Sequence, residues 1–97
     1  MPRLKTHPGE ILQEEFLLPL KVSARALAGD LGVPPNRITE IIRGERAVSA
    51  DTAIRLGLHF NTTSQFWLNL QIAYDLSKAE RDGDYAGVKT RKIETAA

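Results

Sequence analysis

Residues 23–44 read SARALAGDLGVPPNRITEIIRG, and the order of small, apolar and polar residues in this stretch decides the fold. Leu27, Ala28 and Leu31 mark the buried side of one short helix, and Ile38, Ile41 and Ile42 that of a second. Ala28 falls where the second helix crosses the first, so a small side chain lets the two axes approach. Gly32 stands one residue past the last apolar position, where a left-handed residue closes a helix without a Cβ clash. Val33 plugs the turn, Pro34-Pro35 opens the second helix, and Gly44 ends it. The second helix turns Asn36, Arg37, Thr39, Glu40 and Arg43 outward, all able to hydrogen-bond base edges or phosphates. This is the spacing of a helix-turn-helix. Helical pairs that bind nothing share that spacing. The Arg- and Asn-bearing outer face favours DNA, because a merely solvated helix more often carries Glu and Lys three and four apart.

Length and composition narrow the remaining choices. A chain of 97 residues holds one domain with an adequate core. Hydrophobic residues at 42% and charged residues at 26% are ordinary for a soluble globular protein. No apolar run has the length of a membrane span, and the N-terminus shows no signal-peptide apolar stretch. Cysteine is absent, which excludes disulfides, thiolate zinc sites and a cysteine nucleophile and fits a cytoplasmic protein. Net charge is only +1, but it is unevenly spread. Residues 21–46 carry five basic against three acidic side chains, whereas 1–20 and 47–77 are each acidic by one. The positive excess therefore lies on the candidate reading segment. Lys89, Arg91 and Lys92 form a second basic cluster.

Upstream, Pro8 suits the first turn of a helix whose buried side is Ile11, Leu12, Phe16 and Leu18, and Pro19 is expected to stop it. Glu10, Glu14 and Glu15 face water on that helix, which reads as a brace completing the core. His7 has no partner by spacing. Ser23 is an N-cap, and the free N–H groups of the turn it opens, with Arg25, could also meet a phosphate. Ser49 caps a helix over 50–60 with Ala53, Ile54, Leu56, Leu58 and Phe60 inward. Gly57 weakens that helix by up to about 1 kcal/mol unless it permits close packing. His59, near the helix end, reads as a partner for the helix dipole and not as a catalyst.

Thr63 caps a last helix running to about residue 81. Its apolar residues Phe66, Trp67, Leu68, Leu70, Ile72, Ala73, Tyr74 and Leu76 cover most of its circumference, leaving Asn69, Gln71 and Asp75 as the polar sector. A terminal helix in a small domain is half exposed, so this one has more apolar surface than its own fold can cover. A homodimer interface built on Phe66, Trp67, Leu68, Ile72 and Leu76 accounts for that; a central helix wrapped by the others is the alternative. The pattern predicts one DNA-binding and dimerisation domain over 1–81 and a polar tail over 82–97, either mobile or ordered only on a partner.

HPGEIL at 7–12, ALAGDLGV at 26–33, NRITEIIRGERAVSADTAIRLGLHF at 36–60 and SQFWLNLQIAYDL at 64–76 together resemble HigA-type antitoxins of the Xre helix-turn-helix family. The resemblance covers about three-quarters of the chain. It implies an all-α five-helix bundle with a lambda-repressor-like helix-turn-helix, a homodimer, and repression of its own operon at an inverted-repeat operator in double-stranded DNA. It also implies neutralisation of a RelE-like, HigB-type mRNA endonuclease toxin. Carried across by position, Asn36, Arg37 and Glu40 match base-facing positions and Ser23, Arg25, Arg43 and Arg46 phosphate-facing ones; Pro35 and Thr39, on the same helix, are expected to read bases beside them. Pro34 departs from the Ser or Thr cap of that helix, Gly57 stands where a larger residue is usual, and the segment after Lys78 matches nothing.

Enzyme, cofactor and metal readings find no support: no clustered histidines, no glycine-rich phosphate loop, and Glu14 and Glu15 on neighbouring rather than opposing positions. Two other readings stay open, a free-standing Xre-family repressor without a toxin and a helical protein-binding module without DNA binding.

Overall fold

The computed structural model describes residues 3–93 and is helical, with no strand among them. The first helix, α1, spans residues 8–20: an α-turn Pro8–Ile11, a π-helical stretch Leu12–Leu17 and a closing turn Leu18–Leu20. Helices α2 (Ala24–Leu31) and α3 (Pro35–Ile42) form the helix-turn-helix, followed by α4 (Ala50–Phe60) and α5 (Ser64–Asp82). Residues 83–93 carry only a turn in which Val88 N–H bonds the Tyr85 carbonyl at 3.0 Å, and all are exposed. The tail expected over 82–97 lies partly outside the described residues, at 94–97.

Local signals place the starts of three helices and the ends of two where the sequence puts them. The hydroxyls of Ser23, Ser49 and Thr63 accept from Ala26, Thr52 and Phe66 N–H at 3.0, 3.2 and 3.0 Å. Each such cap contributes about 1 kcal/mol. Gly32 and Gly44 close α2 and α3 at φ of 72° and 74°. Val33 N–H then reaches the Ala28 carbonyl and Glu45 N–H the Glu40 carbonyl, the wide closing bonds of a Schellman turn.

The core is Leu12, Leu17, Leu27, Ala28, Leu31, Ile38, Ile41, Val48, Ala53, Leu56 and Trp67. Expectations about where α1 ends and which residues face inward are corrected here. Pro19 does not stop α1; the helix continues to Leu20 and closes at Lys21 in the left-handed region. Pro19 brings no N–H, and the π-helical stretch before it, with Leu18 N–H on the Gln13 carbonyl, accommodates its ring. That widening rotates the helix so that Leu17 joins Leu12 inside and Leu18 lies outside, 54% exposed. On α4, Ile54 and Leu58 point outward, 53% and 81% exposed. At about 100° per residue both lie roughly 200° round from buried Leu56. The inward face is Thr52, Ala53, Leu56 and Gly57.

On α5, Gln71 is not part of an exposed polar sector: it shares the inner face with Trp67 and Ser77 and is 5% exposed. Its Oε1 accepts from Val48 N–H at 2.7 Å, and its Nε2 donates to Asp75 at 2.9 Å. A side chain that could have marked the solvent face instead satisfies a buried backbone donor of the α3–α4 connection. Trp67 is wholly enclosed, its indole N–H on the Thr62 hydroxyl at 2.9 Å. It meets Phe16 and Phe66 with ring centroids 5.1 and 5.0 Å away, and Phe60 packs on Phe16 at 4.8 Å.

His7, expected to do nothing, caps α1: its Nδ1 accepts from Gly9 N–H at 2.9 Å, and its ring packs edge-on against Tyr74 at 4.7 Å. Gly9 is where α1 crosses the back of α3. A Cβ built there would overlap the Ile41 carbonyl and come within 2.9 Å of the Ile42 Cα.

Candidate nucleic-acid interface

Helix α3 buries Ile38 and Ile41 and turns Asn36, Arg37, Thr39 and Glu40 away from the core. Its start is unusual. Pro34, at φ −61° and ψ 144°, is the N-cap but has no side-chain oxygen to accept an amide, and Pro35 follows in the first helical turn. Neither proline carries an N–H, so two of the donors a helix start leaves open are absent. Arg37 N–H bonds the Pro34 carbonyl at 3.0 Å. Among the described residues, Asn36 N–H is left as the open backbone donor at the exposed tip.

The polar side chains of α3 are not loose. Arg37 NH1 bonds Asp51 Oδ2 at 2.7 Å, from α3 across to the first turn of α4. The same oxygen accepts Arg55 Nε at 3.0 Å, and Arg55 NH1 donates to the Leu31 carbonyl at 2.8 Å. Hydrogen bonding from Arg55, and secondarily from Arg37, holds the Asp51 carboxyl below its ordinary range, so it stays ionised at neutral pH. Glu40 Oε1 accepts Arg46 Nε at 2.8 Å and NH2 at 2.7 Å. Thr39 Oγ1 donates back to the Asn36 carbonyl at 3.3 Å. Asn36 and Pro35 are exposed with their side chains free of such bonds among the described residues.

Of the residues expected at phosphates, Ser23 has its hydroxyl engaged as the α2 cap. The N–H groups of Ala24 and Arg25 beside it have no acceptor among the described residues, and the Arg25 side chain is exposed. Arg43, at the C-cap of α3, is exposed and borders a groove of about 610 Å³ shared with His7, Glu10, Glu14 and Tyr74. Arg46 stands beyond the helix, paired with Glu40.

The expected dimer face divides. Trp67 belongs to the core and offers no surface, which removes it from any interface. Leu68 is half-buried, whereas Phe66, Ile72 and Leu76 are 38%, 59% and 58% exposed. Sequence reasoning missed Asp51 and Arg55 at this surface. Their spacing of four on a helix start is a visible signal. Their junction with Arg37 and Leu31, 14 and 24 residues away in sequence, is visible only in the folded chain.

A helix-turn-helix family profile matches residues 14–67, more than half of the chain. Virulence-associated protein I of Dichelobacter nodosus is 57% identical over 76 residues, covering 78% of this chain and 70% of that protein. The structure of Pseudomonas aeruginosa antitoxin HigA with the higBA promoter superposes with a TM-score of 0.79 at 48% identity, over 81% of this chain and 85% of that one. Antitoxin GraA in complex with its operator gives 0.85 at 42% identity, over 97% of each chain. With its Ala28/Gly32/Ile38 framework and polar α3 face, the chain belongs to the Xre-type helix-turn-helix family, among the HigA antitoxins.

Proposed function

We propose that the protein is an antitoxin and a sequence-specific autorepressor, reading DNA with α3 in the major groove. The observation that carries this reading is the outward set on α3: Asn36 and Arg37 stand in its first turn, on a helix whose other face is locked in the core. Asn suits the donor and acceptor of adenine and Arg suits guanine O6 and N7, each good pair discriminating by about 1–3 kcal/mol. Arg25, Arg43, Arg46 and the amides beside Ser23 serve the backbone, which positions without specifying. Solved relatives bound to a promoter and to an operator support the assignment.

The protein acts as a homodimer over two inverted half-sites. Phe66, Ile72 and Leu76 on α5 are the exposed apolar residues of the expected face, and Glu replacements at Ile72 and Leu76 should give a monomer that binds operator far more weakly. Its protein partner is a HigB-type, RelE-like mRNA endonuclease, met in the cytoplasm. Exposed Glu10, Glu14 and Glu15 on α1 are the attractive patch for this cationic protein. The expected span 1–81 is the DNA-binding and dimerising unit, although α5 runs one residue past it to Asp82, and the described residues 83–93 lie outside it.

The test is co-expression with the product of the adjoining open reading frame, followed by a mobility shift on the upstream DNA. Rescue of growth, co-purification and salt-sensitive retardation are expected. Retardation with no co-purifying small basic protein leaves a free-standing repressor; no retardation at any salt removes the DNA-reading role.

A further inference from the structure

On the surface where DNA is proposed to bind, one carboxylate joins two arginines. Asp51 Oδ2 accepts from Arg37 NH1 at 2.7 Å and from Arg55 Nε at 3.0 Å. Arg55 in turn donates to the Leu31 carbonyl, 2.8 Å away at the end of α2. The chain of bonds therefore starts on the backbone of the helix-turn-helix corner and ends on the guanidinium of a base-facing side chain. Arg37 Nε and NH2 bond nothing among the described residues, so one edge of the fork is held and another stays open.

An arginine in water samples many rotamers, and ordering it on binding costs affinity. A carboxylate that fixes one nitrogen reduces that cost and aims the open edge, which matters because bidentate contact to guanine needs a defined plane. A negative charge near DNA also repels phosphates, so the same residue weakens attachment to any sequence. Exposed ion pairs contribute little to stability, and stability is not the role the geometry suits.

Resting on the assignment of α3 as the reading helix, we propose that Asp51 is a positioning residue for sequence recognition: it holds Arg37, and is itself held by Arg55, so that the chain gains discrimination and gives up general affinity.

The test uses full-length protein, a duplex selected by the unaltered chain from a randomised pool, and a scrambled duplex. Asp51→Ala should lower the selected-to-scrambled affinity ratio about fivefold, the low end of one bidentate contact, while affinity for scrambled DNA holds or rises. Asp51→Asn keeps an acceptor oxygen and should restore part of the ratio. Combined with Arg37→Ala, Asp51→Ala should lower the ratio no further, since both remove the same interaction. A thermal melt of each variant confirms folding, and Asp51→Asn carries the test if Asp51→Ala is unfolded. An unchanged ratio in the Asp51 variants while Arg37→Ala lowers it overturns the positioning role alone. So do additive losses, or equal weakening on both duplexes. An unchanged ratio in Arg37→Ala overturns both this role and α3 as the reader.

Discussion

The two sides of α3 are held by different physics. Behind it, α1 crosses so closely that Gly9 has no room for a methyl group, and Ile38 and Ile41 are fully enclosed. In front, Arg37 and Glu40 are held by partners on α4 and on the segment after α3, in pairs a third or more open to water on at least one side. Close packing has one solution and no tolerance, because backbone atoms cannot move aside. Charged pairs at a surface are weak and exchangeable. The back therefore fixes where the helix lies, and a charged pair on the front can be lost without disturbing the fold.

Breaking the back should have the largest effect. Gly9→Ala places a methyl on the Ile41 carbonyl, a backbone clash beyond ordinary overpacking, which costs about 1–3 kcal/mol. We expect a loss of at least about 3 kcal/mol, read as a fall in urea midpoint; a midpoint within error of the unaltered chain would show that the crossing is loose. Gln71→Leu comes next. It strands the Val48 N–H that Gln71 satisfies at 2.7 Å, a loss of about 1–3 kcal/mol. Asp75→Ala, which leaves the Gln71 oxygen on the Val48 N–H, should fall by less in the same melt.

On the front, stability should barely move while binding does. Glu40→Ala releases Arg46 and should raise affinity for every duplex alike. If Glu40 instead reads a base, as its place in the sequence suggests, the selected-to-scrambled ratio will fall. Arg46→Ala should weaken all sequences equally and reduce the salt slope by roughly one unit for each phosphate that a subunit no longer neutralises.

The smallest effect is a pH dependence at the joint between α1 and α5. His7 accepts from Gly9 N–H at Nδ1, which requires a neutral ring, and burial lowers its pKa below 6.5, partly offset by Asp75. The unfolded chain binds this proton first, so the His7 contribution is complete above 6.5 and is lost as pH falls through the lowered folded value. Melts at about pH 7.5 and about pH 5.5 should show the decline, and His7→Asn, which keeps a cap acceptor, should flatten it. An unaltered slope in His7→Asn would assign the decline to other groups.

What the sequence alone determined is local or periodic. Ser23, Ser49 and Thr63 start their helices because a hydroxyl at that offset satisfies an amide of the first turn. Gly32 and Gly44 end theirs because positive φ excludes most other residues, and Ala28, Ile38 and Ile41 recur at helical spacing. From these follow the five helices and the outward place of Asn36 and Arg37. The π-helical stretch in α1, which accommodates Pro19 of the same helix, shifted its phase and exchanged Leu18 for Leu17 inside. Tertiary structure alone decided the rest. Gln71 went inward because Val48, 23 residues away, offered it a buried donor. Gly9 acquired its importance from a helix arriving from residues 35–42, and Asp51 from arginines on two other turns of chain. Each of these depends on which distant atoms arrive at a site, and that is set by packing the helices together, not by the order of residues within any one of them.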